Sequence, residues 1–319
     1  MIRIATVGTS VITTAFADAV HETPGIELGV AYSRDAERAR EFAERIGAPA
    51  SGDDLPAILA DPGIDAIYVG SPNAVHAEQI RLALAAGVHV FVEKPAVATA
   101  AEWSALVDEA DRAGVVLLEG MRTAYDPGTA AVRDLLPSLG TLRRASLHYQ
   151  KRSSRYSDVL AGKRVNIFDP AMGGGALADL GVYGIHAAVL LFGTPDSVQA
   201  ASVSLDAGVD GAGIALLGYP GLVVDVAYSK ITNSDRPSEI QGEEATLTID
   251  QVAAPRHLVR TGIDGAVDEW TVDAPEFTLV GEVRRFVELV AEGASAAADH
   301  ERTRVTLQLL EDIRAAQAR

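Results

Sequence analysis

A doubly wound α/β domain followed by an α+β domain with a large, mainly antiparallel sheet is the architecture this sequence predicts. Three observations carry the prediction. Over roughly the first 120 residues, short β-branched runs alternate with longer helical stretches rich in Ala, Leu, Glu and Arg. After about Asp126 the pattern turns to strands with partial alternation, separated by Gly, Pro and Asp turn signals. A length of 319 residues exceeds one average domain and fits two.

The elements follow in order. Ile2–Val7, Ile26–Tyr32, Ala66–Val69, Val88–Val92 and Val115–Leu118 are apolar enough to be buried on both faces, as parallel strands covered by helices are. Asp35–Ile46, His76–Ala86 and Ala100–Ala113 have helical spacing, and Gly47, Gly87 and Gly114 stand just past them where a helix cap needs positive φ. Strands alternating with helices imply right-handed βαβ crossovers. In the second half, Leu142–Gln150, Ser197–Leu205, Ile214–Leu217, Leu222–Ser229, Ala245–Ile249 and His257–Arg260 read as strands of one antiparallel sheet. Helices are expected over Ala176–Phe192, Glu276–Glu292 and Asp299–Ala318, and the domains as residues 1–122 and 123–319.

Composition narrows the function. Lys plus Arg number 27 against 44 Asp plus Glu, a formal charge of −17, and such a field repels nucleic acid. The absence of cysteine removes disulfides, Cys-ligated metal and a thiol nucleophile, and no metal site is expected. The uncharged run Gly211–Val224 is too short to span a membrane and contains Pro220. Arg3 and Ala17-Asp18-Ala19 imitate a signal peptide poorly, because Thr6, Thr9, Ser10, Thr13 and Thr14 dilute the apolar centre. A cytoplasmic protein is expected.

Five segments carry candidate chemistry. Gly8-Thr9-Ser10-Val11-Ile12-Thr13 follows the first strand, where a G-x-G-x-x-G dinucleotide fingerprint would stand, but only its first Gly is present. The loop still leads into a helix N-terminus that favours a pyrophosphate, with Ser10 either a further donor or simply an N-cap. The second strand ends Tyr32-Ser33-Arg34 without the acidic residue that holds a ribose 2′-hydroxyl, and Ser33 with Arg34 suits a 2′-phosphate, favouring NADP over NAD. Ser71-Pro72-Asn73 and Glu93-Lys94-Pro95 also end strands at the carboxyl edge of the sheet. Gly173-Gly174-Gly175 opens a helix on which Asp179 and Tyr183, four apart, share a face.

Glu-Lys-Pro combined with Gly-Gly-Gly-Ala-Leu-x-Asp-x-Gly-x-Tyr resembles the glucose–fructose oxidoreductase/inositol dehydrogenase family, Gfo/Idh/MocA, over nearly the whole chain. Tyr183, where many relatives carry His, resembles the branch of glucose–fructose oxidoreductase and dihydrodiol dehydrogenases. The resemblance implies a Rossmann domain for NADP or NAD. It also implies a substrate pocket beside an open antiparallel sheet and a homodimer or homotetramer that buries that sheet's free face. Gly8, Thr9, Ser10, Val11, Ile12, Ser33, Arg34, Ser71, Pro72, Asn73, His76, Glu93, Lys94 and Arg122 are the expected cofactor residues. Arg122 replaces an aromatic residue in a Met-Trp-Thr-like segment, which suits an anionic or highly hydroxylated ligand better than an aromatic diol.

The expected chemistry is hydride transfer between nicotinamide and a secondary alcohol or carbonyl of a sugar or polyol. Tyr183 is the candidate acid/base. A free phenol has a pKa of about 10, and a cation such as Lys94 would favour its ionised form. Lys94 could also stabilise developing alkoxide charge. Asp179 would orient Lys94 or bind a neighbouring hydroxyl. Arg155, in the polar segment with Tyr149, Lys151, Tyr156 and Asn166, and His186, one turn past Tyr183, complete the expected substrate set. Two rivals stand beside this reading: an NAD-dependent glycosidase on the same scaffold, and a non-catalytic nucleotide sensor.

Overall fold

The computed structural model describes residues 1–317. They form two compact units, Met1–Met121 with Pro275–Arg304, and Arg122–Ala274 with the chain from Val305 onward.

In the first unit β1 (Ile2–Val7), β2 (Ile26–Tyr32), β3 (Ala50–Gly52), β4 (Ala66–Val69), β5 (His89–Glu93) and β6 (Leu117–Gly120) form an all-parallel sheet in the order β3-β2-β1-β4-β5-β6. The order reverses between β1 and β4, which is where such sheets open a crevice at their carboxyl ends. β4 and β6 are buried at every position, which is why β4 reads as an unbroken apolar run; β6 buries one charged residue, Glu119. Connecting helices are α1 (Val11–His21), α2 (Ala36–Ile46), α3 (Leu55–Leu59), α4 (His76–Ala85) and α5 (Ala100–Ala113). Asp35, Asp54 and Thr99 cap α2, α3 and α5 by accepting from backbone amides, each cap worth about 1 kcal/mol. Gly47, Gly87 and Gly114 do take positive φ. β3 and α3 were not expected, because Ala50-Ser51-Gly52 has no apolar run to announce an edge strand.

In the second unit β7 (Leu142–Gln150), β8 (Ser197–Ser204), β9 (Asp210–Tyr219), β10 (Leu222–Ser229), β11 (Ser238–Gly242), β12 (Ala245–Ile249), β13 (His257–Gly262) and β14 (Val267–Thr271) form one sheet in the order β14-β13-β12-β11-β7-β10-β9-β8. Among the described residues one neighbouring pair, β7 with β10, is parallel and the others are antiparallel. Helices α6 (Pro127–Leu135), α7 (Tyr156–Leu160) and α8 (Val182–Phe192) belong here. Alternation sorts the faces: Ala215, Leu217, Val224 and Val226 are buried, while Ile214, Leu216 and Val223 are exposed. α8 lies on the buried face so closely that a Cβ on Gly184 would stand 2.6 Å from Val226 Cγ1. Polar β11 (Ser-Glu-Ile-Gln-Gly) and β14 (Val-Asp-Glu-Trp-Thr) escaped the sequence reading. So did a longer, largely apolar stretch than Gly211–Val224, interrupted by one charge at Asp179. Pro170–Phe192 is long and apolar enough to cross a membrane by length and composition, and 78% of its apolar window is buried inside the protein.

The chain's end corrects the expected division. α9 (Val280–Glu292) falls in the first unit, where Phe286 stacks on Phe91 at 5.4 Å between ring centroids. Phe91 in turn meets Phe16, which stacks on Tyr68 at 3.7 Å. α10 (Ala297–Gln317) contributes its first turns to the first unit and the rest to the second. Ala318, the expected end of that helix, lies outside the described residues.

Candidate functional site

The β1–α1 loop of the first unit turns on Gly8. Its φ of +111° is a conformation L side chains rarely adopt, and a Cβ there would lie 2.7 Å from Gly70 O. The degraded fingerprint is compensated from the neighbouring strand. Thr13 stands where a Gly would let helix and strand approach, and it is fully buried. The missing space comes from Gly70, whose Cβ would stand 2.8 Å from Thr13 Oγ1. Ser10 is the N-cap by position, yet its hydroxyl lies 3.1 Å from Thr13 Oγ1 and makes no capping bond to the backbone. The first-turn amides of α1 therefore keep their anion-binding capacity, with Thr9 half-buried and Ser10 and Val11 exposed beside them.

At the tip of β2, the N-cap of α2 is Asp35. Its carboxylate accepts from Arg38 N at 2.8 Å and is thereby engaged at the start of the helix. Arg34 is exposed and makes no hydrogen bond or ion pair among the described residues. The Ser33 hydroxyl, uncommitted guanidinium and helix N-terminus together fit a phosphate.

The loops after β4 and β5 are sewn together by His76. The ring is fully buried, with Nε2 at 2.9 Å from Ser71 O and Nδ1 at 3.1 Å from Ala96 O and 3.3 Å from Pro95 O. Burial holds the imidazole below the ordinary histidine range against the opposing pull of these carbonyls. His76 thus ties the two loops together through backbone carbonyls. Ser71 donates to Gln79 Oε1 at 2.6 Å, Pro72 precedes a single 3₁₀ turn from Asn73 to Val75, and Asn73 is half-buried. Glu93 accepts from the Tyr68 hydroxyl at 2.7 Å and from the Lys94 amide at 3.3 Å, and the Lys94–Pro95 bond is cis.

Beneath that loop lies a carboxylate the sequence reading missed. Glu119 on β6 is 3% exposed and accepts from Ala96 N and Thr303 Oγ1, both at 2.9 Å. Burial pushes its carboxyl up to about 7, a rise to which Glu93 adds and which the two hydrogen bonds and Lys94 oppose.

In the second unit the Gly run serves the chain itself. A Cβ on Gly174 would stand 2.8 Å from the Ile167 carbonyl, and one on Gly175, at φ +125°, would overlap Asp210. Asp210 also accepts from Leu177 N at 2.7 Å, fixing the start of the helical segment; burial raises its carboxyl. That segment is not uniformly α. Leu177–Gly181 is a π turn, a form that recurs at functional sites, and α8 follows from Val182.

Around this turn the structure assembles a cluster. Tyr183 is buried, its ring 5.4 Å from that of Tyr149, and the Arg122 guanidinium lies over it at 4.9 Å from the centroid. Arg122 therefore belongs with Tyr183 in this unit, a placement that spacing alone did not reveal. Asp179 is ion-paired with Lys230, a residue the sequence reading passed over. Two expected residues stand elsewhere. Arg155 is exposed and paired locally with Asp158 at 3.2 Å, and His186 is buried inside α8, as are its neighbours from Val182 to Val189.

Comparison with known proteins agrees with this geometry. Residues 2–121 match the family model of oxidoreductases with an NAD-binding Rossmann fold, GFO/IDH/MocA, and residues 130–248 match the family's C-terminal domain. The chain is 37% identical over 316 residues to a scyllo-inositol 2-dehydrogenase (NADP(+)) of Bacillus subtilis, covering 98% of this chain and 96% of that one. It is 31% identical over 296 residues to a D-xylose 1-dehydrogenase (NADP(+)) of Haloferax volcanii, covering 90% and 88%. Among solved structures it is similar to a 3-ketoreductase from Actinomadura kijaniata in complex with NADP and TDP-benzene, with a TM-score of 0.89, 25% identity and coverage of 99% and 97%.

Proposed function

This chain belongs to the Gfo/Idh/MocA family of oxidoreductases, and from that premise we propose that it is an NADP-dependent dehydrogenase or reductase acting on a secondary alcohol or carbonyl of a sugar or polyol. The observation that carries the reading is the Tyr183 phenol, set one turn past Asp179 with the Arg122 guanidinium over its ring. When bound, NADP supplies the hydride acceptor and NADPH the donor. Gly8, Thr9, Ser10, Val11 and Ile12 hold the pyrophosphate at the α1 N-terminus, and Ser33 with Arg34 holds the 2′-phosphate. Ser71, Pro72, Asn73 and Glu93 shape the ribose side. His76 acts from behind by fixing these loops.

On the substrate side, Tyr183 takes the hydroxyl proton in oxidation and returns it in reduction. Lys94 donates to the substrate oxygen and stabilises alkoxide charge as it develops. Asp179 accepts from a neighbouring hydroxyl, which suits a ligand with several of them. The exposed apolar stripe of Ile214, Leu216 and Val223 on the open sheet face is assigned to a second copy of the chain.

The test is a turnover screen of polyols and aldoses, including scyllo-inositol and D-xylose, with NADP and NADPH. Tyr183→Phe should lower kcat roughly a hundredfold to ten-thousandfold while leaving NADPH affinity unchanged, and should be non-additive with Lys94→Ala. Near-normal turnover in Tyr183→Phe overturns the assignment. Glycoside cleavage at constant nicotinamide absorbance would instead indicate the glycosidase. Cofactor binding without any turnover would indicate a sensor.

A further inference from the structure

Lys230 immediately follows β10, and every part of it is held. Its amide donates to Gly211 O at 2.9 Å and its carbonyl accepts from Ser153 N at 2.8 Å. The preceding Ser229 hydroxyl accepts from the amides of Ile231 and Thr232 at 3.2 and 3.0 Å, which fixes the end of the strand. The ammonium lies 5.7 Å from the centroid of the buried Phe168 ring and hydrogen-bonds Asp179 Oδ2. Phe168 is itself packed with Val165 and Val209.

The two partners differ sharply in exposure. The Lys230 side chain is 5% exposed and the Asp179 side chain 36%. The cation is thus the fixed, buried member, and the carboxylate is the member that reaches an open surface. A pair built for stability alone has no advantage over apolar residues of the same volume, because desolvating an ammonium offsets its attraction to the carboxylate. A buried cation holding one oxygen of a half-exposed carboxylate, one turn from Tyr183, does something that an apolar residue cannot. It restricts the carboxylate to one orientation and keeps it an acceptor.

We propose that Lys230 is a positioning residue of the substrate site, pinning the Asp179 carboxylate beside Tyr183 so that it receives a substrate hydroxyl without first reorganising. The inference rests on the dehydrogenase reading for its kinetic consequences but not for its structural one. The other titratable groups on the elements packed against the π turn are Asp225 and Tyr228 on β10, Asp210 and Tyr219 on β9, Arg143, Arg144, His148 and Tyr149 on β7, and Tyr183 and His186 on α8; Arg143 pairs with Glu243 and Arg144 with Asp225. Asp210 is engaged at the Leu177 amide and Tyr228 by Gln317. Lys230 is the cation these strands direct at Asp179.

The experiment compares Lys230→Met, which keeps the stem's length and its contact with Phe168, with Lys230→Arg, Asp179→Asn and the double variant Lys230→Met/Asp179→Asn. Crystal structures of the wild type and Lys230→Met should show the Asp179 carboxylate turned away from its wild-type orientation in the variant. An unmoved carboxylate overturns the proposal whether or not a substrate is known. With the substrate found in the turnover screen, Lys230→Met should lower kcat/KM about ten- to hundredfold, the scale of a lost charge-assisted hydrogen bond. NADPH affinity should not change, and Lys230→Arg should recover most of the loss. In the Asp179→Asn background, Lys230→Met should cost little more. Equal losses in both backgrounds would make Lys230 a purely structural residue and overturn the proposal. A wild type that turns over no polyol or sugar would count against the dehydrogenase reading, and the crystallographic comparison would still decide the positioning role.

Discussion

Replacing Glu119 by Gln should stabilise the protein, and only above a definite pH. Glu119 is 3% exposed and its carboxyl is pushed up to about 7, against about 4.5 for a solvated glutamate. A carboxyl whose folded value is raised contributes stability that is complete below the unfolded value and is lost as pH rises to the folded one. The window is therefore pH 4.5 to 7. At 1.36 kcal/mol per unit, a rise of about 2.5 units makes the ionised carboxylate cost roughly 3 kcal/mol above neutrality. Gln removes the charge and keeps the shape. Its carbonyl oxygen still accepts from Ala96 N, and its amide can donate to the Thr303 hydroxyl, which accepts as readily as it donates. The assay is denaturant unfolding of both proteins from pH 4.5 to 8.5, plotted as the difference between them, so that all other titrating groups cancel. The difference should be near zero at the acid end and rise to roughly 3 kcal/mol in favour of Gln by pH 8. A difference independent of pH would refute the reasoning, as would a variant destabilised throughout.

Three further outcomes follow from the geometry. Gly8→Ala would force a Cβ to 2.7 Å from Gly70 O at a φ of +111°, and strain of about 1–3 kcal/mol there should weaken NADPH binding roughly ten- to hundredfold in a fluorescence titration. Arg34→Ala should reduce NADP affinity by about the same factor while leaving NAD affinity unchanged, since a charge-assisted bond to one phosphate is worth roughly 1.5–3 kcal/mol; parallel calorimetric titrations check it, and equal losses for both cofactors would contradict the 2′-phosphate assignment. Leu216→Glu on the exposed sheet face should shift light-scattering mass toward monomer at micromolar concentration without changing NADPH affinity, and an unchanged mass would place the interface elsewhere.

The sequence by itself determined what depends on near neighbours and on two short periods. Buried parallel strands announced themselves as β-branched runs, and Gly47 and Gly114 marked helix ends because a left-handed cap selects Gly. Asp179 and Tyr183 stood out because four residues is one helical turn. Even so, local reading gave Thr13 no packing partner. Gly70 is that partner, and it stands just past β4, far from Thr13 in the chain. The tertiary structure decided everything that rests on contacts distant in the chain. Lys230 meets Asp179 across 51 residues, and Glu119 meets Thr303 across 184. α9 joins the first unit because Phe286 finds Phe91, although nothing in its composition separates it from the second-domain segments around it. Such pairings leave no periodic trace, because an ion pair or ring contact between distant segments constrains one residue on each and leaves their neighbours free.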